Sequence, residues 1–386
     1  MTGPVAKHDP QAARPRVMFL LTHSAAGGAP EIWSNLAEGF ARRGYPVRLA
    51  ALYPPEDEAP QPAAGEHDWL YVRARKPGNP LGGVGLFRDL VGFLRRHAPD
   101  VIFTALPAAD LLVPLAAQFL PARTRVVVSH HSPVDTYAAP LRAAEALTGR
   151  LPRVSAIVSV SEAVGRSLDG RSPAYRARTR VIHNSLPPAI EHHLETLAAR
   201  RRDRPERREL VAVGRLAAQK NCDILLLALA RVRDASLTFV GTGPDEPKLR
   251  AMVTELGLDG RVRFLGQRTR TEALDLLADS DVFLQPSLFE GHSLALIEAS
   301  KIGIPLVVSD VPSQVEGVTG PDGNRCGIVV GARDEVALAA EIQRLLDDPA
   351  YRRDWTERAR RLGESVRFEK TVAAYEALVP AEGRGR

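Results

Sequence analysis

Residues 281–317 read DVFLQPSLFEGHSLALIEASKIGIPLVVSDVPSQVEG, and the pattern of apolar and polar residues in this stretch decides the fold. Asp281–Pro286 is an apolar run of the length of a buried strand. A loop carrying Glu290, Gly291 and Ser293 follows. An apolar-periodic segment, Leu294–Ile302, comes next and is stopped by Gly303-Ile304-Pro305. Leu306–Ser309 is the next buried strand. The helix of this unit therefore opens at the carboxyl end of a strand. In a parallel sheet ligands bind at that end, where the unpaired N–H groups of the first helical turn favour an anion such as phosphate.

Two carboxylates bracket the helix start, Glu290 ahead of it and Glu298 inside it, with backbones about 12 Å apart at helical rise. An extended nucleotide sugar spans that distance, because ionised carboxylates pair strongly with the hydroxyls of a hexose and a ribose. Taken alone, the two glutamates are better explained by the helix dipole at Glu290 and an ion pair of Glu298 with Lys301 at i, i+3.

Upstream, Arg16–Thr22 is a strand, Glu31–Arg43 a helix ended by Gly44, and Val47–Leu52 a strand, a βαβ opening that implies a parallel α/β sheet. The loop between them holds Gly27 and Gly28, which let backbone approach a phosphate closely. It lacks the G-x-G-x-x-G of a nicotinamide site. Residues 54–68 read as a surface loop. Leu86–His97 and Leu111–Phe119 are helices, and Asp100–Thr104, Arg125–Ser129, Ala156–Val160 and Arg180–Asn184 are strands. Strand Arg125–Ser129 runs into His130-His131. Successive side chains of a strand point to opposite faces, so a shared metal there is awkward and hydrogen-bonded loop histidines are the simpler reading.

A second α/β unit begins at Leu210–Leu216. The expected division is a disordered tail over 1–15, a first Rossmann-like domain over 16–186 and an arginine-rich linker over 187–209, read as a solvated helix and linker. A second such domain covers 210–365, and a closing helix and tail cover 366–386. The last helical region is read as one segment, Arg353–Leu378.

The composition is that of an ordinary globular protein, 45% hydrophobic and 25% charged, with a net charge of +5. Aromatics are sparse and the basic residues scattered, which argues against nucleic acid as a partner. No apolar run reaches transmembrane length and no signal-peptide core is evident, so a cytoplasmic location is expected. Contact with a membrane surface is not favoured, for want of a clear amphipathic helix. Cys222 and Cys326 make neither a disulfide framework nor a zinc set. The abundance of Arg, Ala and Pro fits a GC-rich bacterial genome.

The wording around the two glutamates is more specific than their spacing. E-G-H-S-L-A-L-I-E-A followed by G-I-P-L-V-V-S-D resembles the E-x7-E signature of retaining glycosyltransferases with the GT-B fold, of the large family four. The string G-R-L-A-A-Q-K-N over 214–221 resembles the motif in which that family holds the donor diphosphate. S-V-S-E and V-I-H-N-S resemble further landmarks, with Ser185 standing where Gly is usual.

The resemblance implies two Rossmann-like domains facing across a cleft, acceptor domain first and nucleotide-sugar domain second. Arg215 and Lys220 would stabilise the leaving diphosphate, aided by Gly214 and by amides of Gly291, His292, Ser293 and Leu294. Glu290 would orient the hexose and Glu298 the ribose. Gly27 and Gly28 would lie against the diphosphate, and the backbone at Gln267 against the base. His131 would contact the sugar near the reacting carbon, with His130 as the alternative one residue earlier. No cofactor, no metal and no enzyme nucleophile are implied; Asp279-Ser280-Asp281 reads as a helix end, not as a metal bridge. The acceptor, a small polyol or aminocyclitol or instead a lipid-linked or envelope glycan, is not legible. A nucleotide-sugar epimerase, a pyridoxal-dependent phosphorylase or a silent nucleotide-sugar-binding partner are the rival readings.

Overall fold

The computed structural model describes residues 14–25, 27–55, 69–202 and 204–380. The calls on the tail 1–15 and the loop 54–68 fall almost entirely outside these residues.

Seven strands form the first sheet: β1 Val17–His23, β2 Val47–Tyr53, β3 Trp69–Tyr71, β4 Val101–Ala105, β5 Arg125–His130, β6 Val154–Ser159 and β7 Thr179–Val181. Their order is β3-β2-β1-β4-β5-β6-β7, parallel throughout. Six more form the second sheet: β8 Glu209–Val213, β9 Ser236–Val240, β10 Val262–Phe264, β11 Val282–Gln285, β12 Leu306–Ser309 and β13 Ile328–Val330. Their order is β10-β9-β8-β11-β12-β13, again parallel. In each sheet the order reverses beside the first strand, and in open parallel sheets the ligand crevice lies at the carboxyl ends next to that reversal.

The strands are apolar on both faces because helices cover both. Phe19, Phe103 and Phe283 are fully buried. One apolar cluster runs from Phe19 and Trp33 of the first domain through Leu194, Phe368, Val372 and Tyr375 to Ile297 and Phe283 of the second. The last helix, Phe368–Glu376, docks on the first domain. Arg43 pairs with its Glu369 and Glu376, each at 2.5 Å.

The structure corrects several details. The arginine-rich stretch 187–209 is mostly a packed helix, Pro188–Arg202, with Leu194 and Leu197 buried. Its arginines are engaged: Arg201 donates to the carbonyls of Ala278 and Ser280, Arg204 pairs with Asp281, and Arg200 pairs with Asp275 and Asp279. Unsatisfied carbonyls at a helix end and a carboxylate buried among them consume charges that composition alone assigns to solvent.

Helix Pro80–His97 begins six residues before the expected Leu86. Its glycines mask the apolar period, but Asn79 caps it by accepting from the Gly82 N–H at 2.8 Å. Strand β3 and helix Ala139–Thr148 were not anticipated. The terminal helical region is two helices, Pro349–Ser365 and Phe368–Glu376, separated at extended Val366, whose carbonyl accepts from Lys301 Nζ at 3.1 Å. Among the described residues no helix is long and apolar enough to cross a membrane, and Cys222 and Cys326 are free and buried.

Candidate active site

The helix Leu294–Ile302 starts where the sequence places it. Ser293 caps it, accepting from the Leu296 N–H at 3.3 Å, and Gln285 at the end of β11 donates to the Ser293 hydroxyl at 2.9 Å. The loop before it is laced to the segment 219–221. Gln219 donates to the Phe289 carbonyl at 3.0 Å, Lys220 to Glu290 Oε1 at 2.6 Å, and Asn221 to the Pro286 carbonyl at 3.0 Å. Two motifs some seventy residues apart are thus one structure, with a cation, a carboxylate and a helix N-terminus at its tip. Ser287 donates to the same Glu290 oxygen at 2.8 Å. Gly214 lies under Lys220, where a Cβ would meet Lys220 Cε at 3.2 Å.

Glu298 does not pair with Lys301. Lys301 reaches Glu191 at 2.8 Å, and Glu298 is held by Arg270 at 2.7 Å. The i, i+3 pairing fails because Lys301 lies toward helix Pro188–Arg202 while Glu298 is buried on the side of helix Arg270–Ala278. Burial raises the Glu298 carboxyl above its ordinary value, with the Arg270 charge opposing that shift. Arg270 also pairs with Glu31 in the first turn of helix Gly28–Arg42, so this contact crosses between the domains.

A cleft of about 680 Å³ lies between the sheets. Gly214, Arg215, Gly241–Pro244 and Gln267 line it from the second domain, and His23, Gly27, Tyr53 and Lys76 from the first. Arg215 is exposed there, and among the described residues no carboxylate pairs with it. Gln267 is exposed on the same wall. Gly28 is not among the lining residues; it is the first residue of its helix and a Cβ there would meet nothing within 4 Å.

The two adjacent histidines separate. His131 stands edge-on to Trp33, ring centroids 5.2 Å apart, and its Nε2 is 3.2 Å from the Ser129 hydroxyl. Its carbonyl abuts Gly291, where a Cβ would come within 2.1 Å, so only glycine permits this approach of the second domain to the first. His130 does not face this contact. It is fully buried, 3.1 Å from the Tyr175 hydroxyl and 3.3 Å from Glu145 Oε1. Strand alternation sends it to the other side, and of the two only His131 meets the loop at Gly291.

Burial, and secondarily the neighbouring His130, lowers the His131 imidazole to about 3. Burial, and secondarily His183, does the same to His292. Both rings are therefore neutral near neutral pH, and the fixed positive charge on the donor wall comes from Arg215 and Lys220. His292 is held by its carbonyl, which accepts from Asn184 Nδ2 at 2.8 Å, and its ring lies 4.9 Å from that of His183. Gly291 and Leu294 are buried beside it.

Sequence reasoning missed Arg270, Glu31, Gln285, Ser287 and Glu316. Glu316 accepts from the N–H groups of Glu162 and Ala163 at 2.7 and 2.8 Å and contacts His183 Nε2 at 2.8 Å, a second bridge between the domains. None of these residues sits in a local pattern that marks it. Asp279 and Asp281 are engaged by arginines, and among the described residues no three His, Cys, Asp or Glu side chains gather as a metal set.

Residues 26–189 match the family model Glycosyltransferase Family 4, and residues 195–362 match Glycosyl transferases group 1. Over 185 residues the chain is 33% identical to the glycogen synthase of Mycobacterium tuberculosis, covering 47% of this chain and 44% of that one. Over 192 residues it is 33% identical to the D-inositol 3-phosphate glycosyltransferase of Salinispora tropica, covering 46% and 39%. The matched segments span less than half the length of either relative. Among solved structures, Alr3699/HepE of Anabaena, in complex with UDP and glucose, superposes with a TM-score of 0.73 at 20% identity over 94% of this chain and 98% of that one. The sucrose-phosphate synthase of Thermosynechococcus elongatus gives the same TM-score and identity over the same shares.

Two parallel Rossmann-like sheets about a cleft define a GT-B fold. With adjoining matches over its two halves, the chain belongs to the group 1, family 4 glycosyltransferases.

Proposed function

We propose that the chain transfers a hexosyl-type sugar from a nucleoside-diphosphate donor to an acceptor hydroxyl with retention of anomeric configuration. The observation that carries this reading is the donor wall, where the unpaired Arg215 and the Lys220–Glu290 pair stand at the mouth of a capped helix N-terminus. Departure of a nucleoside diphosphate builds negative charge, and fixed cations with oriented N–H groups stabilise that charge in the transition state. The bond between the anomeric carbon and the diphosphate oxygen breaks. A bond to the acceptor oxygen forms on the same face, and the acceptor's proton passes to the departing phosphate. Glu290 orients the hexose, Glu298 the ribose, and neutral His131 hydrogen-bonds the sugar. Two fixed cations take the part a metal would otherwise play.

A small polyol or aminocyclitol is the favoured acceptor class, and a cytoplasmic site of action goes with it. The relative in Salinispora tropica that is named for inositol 3-phosphate supports this preference.

The test is a thermal-shift screen against UDP, GDP, ADP, dTDP and their hexose conjugates, followed by turnover with candidate acceptors. A ligand at about 100 times its dissociation constant adds about 2.7 kcal/mol of stability. Stabilisation by one nucleotide family, lost in Lys220→Ala, supports the reading. No response to any nucleotide refutes it.

A further inference from the structure

Arg270 is not part of the motif that carries the donor reading, yet its guanidinium is largely buried between two carboxylates from different domains. Glu298 lies inside helix Leu294–Ile302 with only 8% of its surface exposed, and Arg270 at 2.7 Å is its ion-pair partner. Glu31 belongs to the helix that follows the cleft-lining Gly27. A buried carboxylate without a cation takes up a proton or turns toward water, and in either state it is a poorer acceptor for a diol. Arg270 itself begins a helix capped by a Thr269–Glu272 box, so its backbone is fixed and its side chain is aimed.

We infer that Arg270 is a positioning residue for nucleotide sugar selection: it holds Glu298 oriented toward the donor's ribose diol, and Glu31 anchors Arg270 from the opposite domain. The inference rests on the reading of Glu298 as the ribose carboxylate. The ribose pocket is then complete only when the first domain lies against the second, and preference for a ribonucleotide over its 2′-deoxy counterpart depends on an arginine that never touches the diphosphate.

The experiment measures binding of the UDP/2′-deoxy-UDP, ADP/2′-deoxy-ADP and GDP/2′-deoxy-GDP pairs to the full chain by calorimetry. Wild type, Arg270→Gln, Arg270→Lys, Glu31→Gln and Glu298→Gln are compared. Wild type is expected to favour the ribonucleotide by about tenfold, the worth of one hydrogen bond to a charged acceptor. Arg270→Gln brings that ratio close to one, and Arg270→Lys restores part of it, which a merely structural role would not do. Glu31→Gln lowers the ratio part of the way toward one, because Arg270 then lacks its anchor from the first domain. Should Arg270→Gln fail to fold, the partial ratio of Arg270→Lys decides.

An unchanged ratio in Arg270→Gln, with the ratio lost in Glu298→Gln, overturns the role of Arg270 and leaves the donor reading standing. A ratio unchanged in Glu298→Gln removes the ribose reading of Glu298 and this inference with it. Absence of any nucleotide binding to wild type refutes the proposed function as well.

Discussion

The two walls of the cleft are built by different means. The side of the second domain is charged and cross-linked: Arg215 lines the cleft with no carboxylate partner among the described residues, and apart from that lining Lys220 holds Glu290 and Arg270 holds Glu298. The wall from the first domain is aromatic behind its surface, where His131 stands on Trp33 and Trp33 on Tyr375 at 5.9 Å. Behind it lies a buried polar cluster of His130, Glu145, Arg171 and Tyr175, while Lys76 lines the cleft at the surface. A diphosphate is the same ligand whatever sugar it carries, so fixed charges serve it and can be spelled in a short motif. An acceptor is read by shape, and the residues that shape this wall come from loops with no common pattern.

The sharpest break in this contrast is Lys220→Ala. Removing one preorganised charge from the donor wall is expected to lower kcat by about 10²–10³-fold. Circular dichroism should stay close to wild type and the melting temperature should fall only modestly, because Lys220 is partly exposed but its removal leaves Glu290 without its cation. An equal loss in stability would place Lys220 in the scaffold instead.

The first wall gives the opposite division between neighbours. His130→Ala should destabilise the fold by about 2 kcal/mol, as expected when the buried Tyr175 and Glu145 lose a hydrogen-bond partner. His131→Ala should destabilise less, because His130 is the more deeply buried of the two, and should reduce turnover. Thermal denaturation and initial rates on the two variants separate the roles; a reversed outcome would exchange them.

A smaller effect is the acid response of His131. Its folded value, about 3, lies below the ordinary 6.5, so the unfolded chain binds the proton first. Stability is therefore complete above about 6.5 and declines as pH falls toward 3. His131→Gln should flatten that slope, leaving the part due to His292; urea titrations across this range check it. Glu316 titrates with the same sign, starting from the ordinary carboxylate range. Burial works to raise its carboxyl, but hydrogen bonds from His183 and from the Glu162 and Ala163 N–H groups outweigh burial and lower it. The bridge is thus intact above the ordinary carboxylate range and is lost only as pH drops through the depressed value. The smallest expected effect is that of EDTA, which should leave turnover unchanged. Loss of activity restored by magnesium or manganese would show that the cations of the donor wall do not suffice.

How much of this was legible follows from where each interaction is encoded. Apolar runs and their punctuation determined two parallel α/β units and the helix Leu294–Ile302 with its Ser293 start, and the resemblance of two short motifs to a known family pointed to Arg215, Lys220, Glu290 and Glu298. Those are local signals: a strand's length, a helix's period, a cap, a spacing within one turn or two. Only the tertiary structure decided which cation meets which carboxylate, because an ion pair depends on separation in space and not along the chain. It gave Lys301 to Glu191 instead of Glu298, brought Arg270 and Glu31 together from opposite domains, set Arg201 against a helix end and Arg204 against Asp281, and sent His130 inward while His131 stayed at the contact with Gly291.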